Sequence, residues 1–146
     1  MFTSNIDAII AQMQGIEDRI KKHVAKIVSR VVLEIDTAIH PRTPVWSGRA
    51  IRNMIWTKGA PNTTEYSPIG SGEAGENRRG PNSAAAHATR EALDFSNPFA
   101  VYWLTNNAHH IEELEAGNLP YPGKHPAGGM FGITYAEVVA KLGNMK

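Results

Sequence analysis

The chain has 146 residues, a usual size for one domain with a single hydrophobic core. Lysine and arginine number 15 against 14 for aspartate and glutamate, so the formal net charge of +1 provides no broad field to hold a nucleic-acid backbone or an anionic membrane. Cysteine is absent, which excludes disulfides and thiolate sites, and because neither a signal-peptide pattern nor a membrane-spanning apolar run is present, we expect a soluble protein.

The first forty residues carry an amphipathic pattern. Large apolar residues recur at steps of three or four from Ile6 to Ile39, which predicts one long helix that ends at Pro41 and that Gly15 could bend or divide. At 1.5 Å per residue this helix reaches about 50 Å, more than the core of a domain of this size can cover. We therefore expect part of the apolar stripe to face another subunit, with a helix packed wholly inside its own domain as the alternative.

The middle of the chain is rich in turn residues. Residues 50–57 mix aromatic and β-branched with polar side chains, which predicts a short helical turn or the start of a strand. Glycine, proline and small polar residues then dominate from Gly59 to Ser83, where Tyr66 and Ile69 are the only large apolar residues. This pattern predicts a long flexible loop, and loops of that length usually contact a partner or stay disordered. We expect it to be mobile in the isolated subunit and to become ordered on assembly.

The second half predicts a short helix, a hairpin and a terminal helix. Ser83 is the expected N-cap of an alanine-rich helix. Phe99 to Thr105 is typical of a buried strand, with Trp103 in the core, and His109 to Glu115 is either the returning strand of a hairpin or a helical turn. A capping box at Thr134 begins the last helix. The order predicts a single α+β domain over residues 1–146, with a long N-terminal helix, a small antiparallel sheet, and short middle and C-terminal helices.

The histidines give no strong catalytic pattern. His109, His110 and Glu112 are the nearest approach to a metal site, but on a strand alternate residues face opposite ways, which would divide these ligands. His40 suits the negative end of the first helix, and His87 has no partner that the sequence identifies. We therefore predict no enzyme, no catalytic residue, no metal and no cofactor. A small metal-dependent hydrolase using His109, His110 and Glu112 is the alternative.

Paired arginines form the nearest thing to a basic patch. Arg78 and Arg79 could seek carboxylates on a partner or the phosphates of DNA, although Glu73 and Glu76 balance their charge within the same loop. An adaptor that contacts nucleic acid through these arginines is a third possibility. The balance of charge within the loop favours simple solvation of the two arginines.

Two segments resemble the tail-completion and neck proteins of long-tailed bacteriophages, the group that includes the minor tail protein Z of phage lambda. The run Thr-Pro-Val-Trp-Ser-Gly-Arg-Ala-Ile-Arg-Asn at residues 43–53 is similar to that family's Thr-Pro-Val-Asp-Thr-Gly-Arg-Leu-Arg segment. Residues 102–130 then present Leu-Thr-Asn-Asn, Leu-Glu-Ala-Gly and Pro-Ala-Gly-Gly-Met in the family's order. Trp46, Ala50, Ala116 and the pair His109-His110 depart from its usual residues.

The resemblance implies a structural virion protein and no catalysis. It implies a homo-oligomeric ring, six-fold or twelve-fold, that completes the tail and joins it to the head, with portal, head-completion and tail-tube or tail-terminator proteins as partners. DNA in the lumen would be touched only passively, and no membrane is involved. The protein would act in the virion neck after assembly in the host cytoplasm. The residues predicted to contact other subunits or partners are Trp46, Arg49, Arg52, Tyr66, Ile69, Arg78, Arg79 and Glu115.

Overall fold

The computed structural model describes residues 2–70, 78–118 and 129–144, with side chains from residue 5 onward. The fold is α+β with a long N-terminal helix, a small antiparallel sheet, and short middle and C-terminal helices, as predicted. None of the helices in these ranges combines the length and apolar character needed to cross a membrane. The elements in chain order are α1 (Phe2–Arg42), α2 (Arg49–Arg52), β1 (Ile55–Lys58), α3 (Arg79–Glu91), β2 (Tyr102–Thr105), α4 (Ile111–Glu115) and α5 (Gly129–Gly143).

Helix α1 is unbroken over its 41 residues and is about 60 Å long. It passes Gly15 without interruption, and it ends one residue beyond Pro41, so the predicted end is nearly right. Proline is tolerated in this last turn because the neighbouring carbonyls find other donors. The Thr43 amide donates to Ile39 at 3.1 Å, and the Arg42 guanidinium donates to the carbonyl of Ala38.

The sheet has two antiparallel strands, and β1 pairs with β2 from Ile55 opposite Thr105 to Lys58 opposite Tyr102. The predicted hairpin between β2 and His109–Glu115 is wrong, and the helical alternative for that segment is right. The reason is an Asx turn. Asn106 accepts the Ala108 amide at 3.0 Å and donates its side-chain amide to the carbonyl of Ala50 at 2.8 Å, which directs the chain into α4.

The prediction of a buried strand at Phe99–Thr105 is wrong in its burial. Strand β2 begins only at Tyr102, and the side chains of Phe99, Val101 and Trp103 are 65%, 58% and 40% exposed. The physical reason is that the sheet has two strands and α3 packs against β1, whose Ile55 and Trp56 are both 5% exposed. Trp103 is therefore a surface residue, although the sequence places it in the core.

Helix α3 begins at Arg79, so the prediction that the loop extends to Ser83 and that Ser83 caps the helix is wrong. Pro81 fits within the first helical turn, where the amide that it lacks would have no partner inside the helix. Residues 71–77 of the predicted loop lie outside the described residues. The flexibility of this segment stays a prediction.

The described part of that loop is held by asparagine side chains. Asn53 donates to the Tyr66 carbonyl and accepts the Tyr66 amide, both at 2.7 Å. Asn82 forms the same pair of bonds with Ile69, at 2.9 and 2.7 Å, and both asparagines are fully buried. An amide side chain can satisfy one backbone donor and one acceptor together, so these two residues replace strand pairing for a segment with few apolar anchors.

Helix α5 begins at Gly129 and not at Thr134, which is buried in the helix interior. Gly129 has φ +66°, and a side chain there would collide with Glu115. The Glu115 carboxylate accepts the amides of the next three residues, at 2.8 to 3.0 Å, and so supplies the N-terminal cap. The core beneath these elements contains Ile39, Ala50, Met54, Ala86, Leu114 and Met130.

We expect Glu115→Ala to lower the free energy of unfolding by about 2 kcal/mol, because three amides at the positive end of α5 lose their acceptor. Urea denaturation followed by circular dichroism measures this change. Glu113→Ala on the same short helix is the matched control, since Glu113 is exposed. Equal stability of the two variants would contradict the capping role of Glu115.

Candidate functional site

Three of the predicted contact residues, Arg49, Arg52 and Tyr66, form contacts within the chain at α2. Arg49 pairs with the carboxylate of Glu65 at 3.0 Å, and the guanidinium of Arg52 lies 4.9 Å from the centre of the Tyr66 ring. Their contacts as described lie within one chain.

Arg79 caps the C-terminal end of α1. Its guanidinium donates to the carbonyls of His40 at 3.0 Å and Thr43 at 2.9 Å. These carbonyls are at the negative end of the helix, where a cation is favourable. Arg78 donates to the carbonyl of Trp46 at 2.8 Å. Because both arginines have contacts within the fold, they do not present a simple basic patch.

Trp46 and Ile69 are the predicted contact residues that expose the most apolar surface, at 72% and 41%. Glu115 is instead committed to the cap of α5. A largely exposed tryptophan is a common feature of interface anchors, so Trp46 is the predicted contact residue whose surroundings best suit that role.

A much larger apolar surface lies on the first half of α1. All residues from 5 to 23 are exposed, and helix α1 enters the core only after them. Large apolar side chains nevertheless recur along one side of this segment and as far as Ile27, and each is between 38% and 64% exposed. We call this set the α1 stripe: Ile6, Ile9, Ile10, Met13, Ile16, Ile20 and Ile27.

The second half of α1 carries a buried polar site that the sequence did not reveal. The carboxylate of Asp36, 1% exposed, accepts hydrogen bonds from Trp56 Nε1 at 2.9 Å, His87 Nδ1 at 2.6 Å and Arg90 Nε at 3.0 Å. His40 Nε2 lies 3.3 Å from Asp36 Oδ1, at an angle outside hydrogen-bond geometry. We call these five residues the Asp36 cluster.

Electrostatics keep Asp36 ionised. Burial raises the pKa of this carboxyl, but the polar contacts of His40, Trp56 and His87 lower it more, so that the pKa falls from 3.8 to about 2. The ionised carboxylate joins α1 to β1 through Trp56 and to α3 through His87 and Arg90. Removing one member of this network should strongly destabilise the fold, because it leaves buried charged or polar groups without a partner.

Asp36, His40 and His87 are also residue types that bind divalent metals, and their donor atoms lie within 4.8 Å of one another. Two features oppose that use. The Asp36 carboxylate is already bonded to the cationic Arg90, and the rings of His40 and His87 are stacked at 3.9 Å, so their in-plane lone pairs do not converge on one point. The geometry favours a structural ion network between helices.

His109 and His110 lie elsewhere, with their rings in edge contact at 4.8 Å. His109 Nδ1 is 3.2 Å from Glu65, and Glu112 is not part of any group of three converging donors among the described residues. Burial lowers the pKa of His110, and electrostatic interactions with His109 and Arg49 act in the same direction. His109, His110 and Glu112, the residues of the hydrolase alternative, therefore do not come together as a metal site among the described residues.

The sequence did contain a signal for the Asp36 cluster. Asp36 and His40 are one helical turn apart and occupy the same face as Val32, Ile39 and Thr43, all of which are buried. A carboxylate on an apolar face requires donors. Its partners on α3, however, are 51 and 54 residues away, and no local pattern identifies them.

No family model matches the chain, and no curated protein or solved structure matches it either. The likeness to tail-completion proteins therefore rests on the sequence motifs alone.

The depressed pKa of Asp36 makes stability depend on pH. The ionised carboxylate contributes its full stabilisation above about pH 4, and this contribution is lost as the pH falls towards 2, since the unfolded chain takes up the proton first. We expect a loss of about 2 kcal/mol over that range. Urea denaturation at each pH measures the free energies of unfolding of wild type and Asp36→Asn. The difference between the two should shrink as the pH falls over that range.

Asp18→Asn, on the exposed face of α1, is the matched control and should show no such convergence. A carbon NMR titration of the wild-type carboxyl groups reports the pKa of Asp36 directly. A midpoint near 4 for Asp36 would contradict the assigned network.

Proposed function

We propose that this chain is a structural subunit of a long-tailed bacteriophage particle, present in several copies in a ring at the neck, where it completes the tail and joins it to the head. The observation that carries the proposal is the α1 stripe. It is an extended apolar surface that the described fold leaves uncovered.

The size of that surface favours a structural partner. Seven side chains that each expose roughly 100 Å² amount to about 700 Å², whereas the largest apolar patch on a monomeric protein is about 300–600 Å². At about 25 cal/mol per Å², burying the exposed area of each of these side chains is worth about 2.5 kcal/mol. A surface of this extent would make an isolated subunit prone to association, and identical copies that meet through one pair of surfaces close into a ring when the rotation permits.

The motifs that carry the resemblance hold structural positions in the fold. The Thr-Pro-Val-x-x-Gly-Arg run occupies the connection from α1 to α2, where Gly48 has φ +85° and a side chain would collide with Asn82. The Leu-Glu-x-Gly run contains Glu115, which caps α5. Both motifs thus serve the folding of the subunit, which accords with a family whose shared residues are structural.

The proposed partners are further copies of the chain, in six-fold or twelve-fold symmetry, together with portal, head-completion and tail-tube or tail-terminator proteins. Contact with DNA in the lumen would be passive, because the net charge is only +1. The subunit would act in the virion after assembly in the host cytoplasm.

The test is particle assembly without this chain. Phage grown with its gene disrupted should yield DNA-filled heads beside unattached tails in electron micrographs, and wild-type protein supplied in trans should restore joined particles. Joined, infectious particles that lack the chain by mass spectrometry would contradict the proposal. A variant that retains the fold but carries Trp46→Ala is expected to reduce joining without abolishing it.

A further inference from the structure

The α1 stripe has a spacing more specific than that of an ordinary amphipathic helix. From Ile6 to Ile20 apolar residues lie alternately three and four residues apart, which is a repeat of 3.5 residues, and the next two positions of the repeat are His23 and Ile27. In heptad notation the a positions are Ile6, Met13, Ile20 and Ile27, and the d positions are Ile9, Ile16 and His23.

The other side of this segment is polar. The b, c and f positions carry mainly charged, amide or small side chains, and Glu17 and Lys21 form an ion pair along the helix surface. The segment therefore has one face for solvent and one for a partner.

Farther along the chain, the same side of α1 packs against α5. Beyond Ile27 it continues through Val31 and Glu34, where α5 packs antiparallel, with ion pairs from Lys141 to Glu34 at 2.8 Å and from Arg42 to Glu137 at 2.6 Å. Helix α5 ends at Gly143 beside this point. In the second half of α1 this side packs against α5, whereas in the first half no described element covers it.

We propose that residues 5–27 of α1 pack in parallel against the same residues of other copies, as a coiled coil of more than two strands. The area supports this occupant, since about 700 Å² per copy is close to the ~800 Å² per partner of a stable interface. Isoleucine at three of the four a positions and two of the three d positions favours more than two strands, and Ile10 and Val24 at e positions widen the apolar face.

Charge at the edges of the seam agrees with a parallel arrangement. In register, each g residue meets the following e residue of its neighbour, which places Gln12 beside Glu17 and Arg19 beside Val24. No like charges meet at these two positions. The parallel direction also rests on the proposed ring, because subunits of a cyclic ring are related by rotation about one axis.

The mass of the full-length protein in solution tests the inference. Light scattering and sedimentation at 1–100 µM should report more than two copies per particle. The variant Ile16→Asn/Ile20→Asn removes one d and one a residue and should raise the dissociation constant at least 100-fold. The matched control Asp18→Asn/Lys22→Asn, on the outer side of the same turn, should keep the wild-type mass.

Monomeric or dimeric wild-type protein at 100 µM would overturn the inference, as would equal losses in both double variants. Both variants should fold, because the substituted side chains are all exposed; unchanged thermal unfolding of the body verifies this.

Thiol crosslinking tests direction and does not depend on those variants. The chain has no cysteine, so Ile9→Cys introduces a single thiol at a d position, and Ala8→Cys places one on the outer side. Parallel helices should give rapid disulfide-linked dimers with Ile9→Cys and at least ten times less with Ala8→Cys. Linkage only between Ile9→Cys and Val24→Cys chains would show antiparallel packing and overturn the inference.

The two proposals can fail separately. An oligomeric chain that is missing from particles would contradict the neck function and leave the coiled coil standing. A chain that is monomeric in solution but present in the neck would contradict the coiled coil and leave the neck function standing.

Discussion

The placement of α1 depends on one buried charge. Asp36 lies on the inner face of the helix, and its carboxylate receives donors from β1 and from two positions of α3. An apolar core alone would tolerate small shifts of one helix along another, whereas a buried carboxylate with fixed donors allows one register. Since α1 is continuous, fixing its second half also fixes the direction in which its first half projects.

Periodicity predicted that helix well, but it could not tell what each half of the helix covers. The steps of three and four are the same whether the partner is α3 of the same chain or a helix of another copy. The difference lies in polar residues between the apolar ones. Asp36 and His40 interrupt the inner face of the second half, whereas the α1 stripe runs from Ile6 to Ile20 without a charged residue.

The errors in the sheet and the middle segment share one cause. Trp103 and its neighbours have the composition of a buried strand, and only the small size of the sheet leaves them exposed. Asn53, Asn82 and Asn106 direct the chain through side-chain hydrogen bonds to backbone groups up to 56 residues away. Such bonds leave no periodic signal, and the Asp36 cluster, whose α3 donors are equally distant, was missed for the same reason.

The continuity of α1 also relates the number of strands in the coiled coil to the number of bodies around its axis. Gly15 lies within the helix, in the outer half of the heptad, and no loop separates the α1 stripe from the body that the Asp36 cluster holds. A bundle formed by residues 5–27 therefore passes its symmetry axis to the attached bodies, because a rigid helix cannot change direction between them. The number of strands in the coiled coil must then equal the number of bodies around that axis. A six-fold ring built this way needs six parallel helices, and a three-stranded coil accounts for three bodies, so a count of either one determines the other.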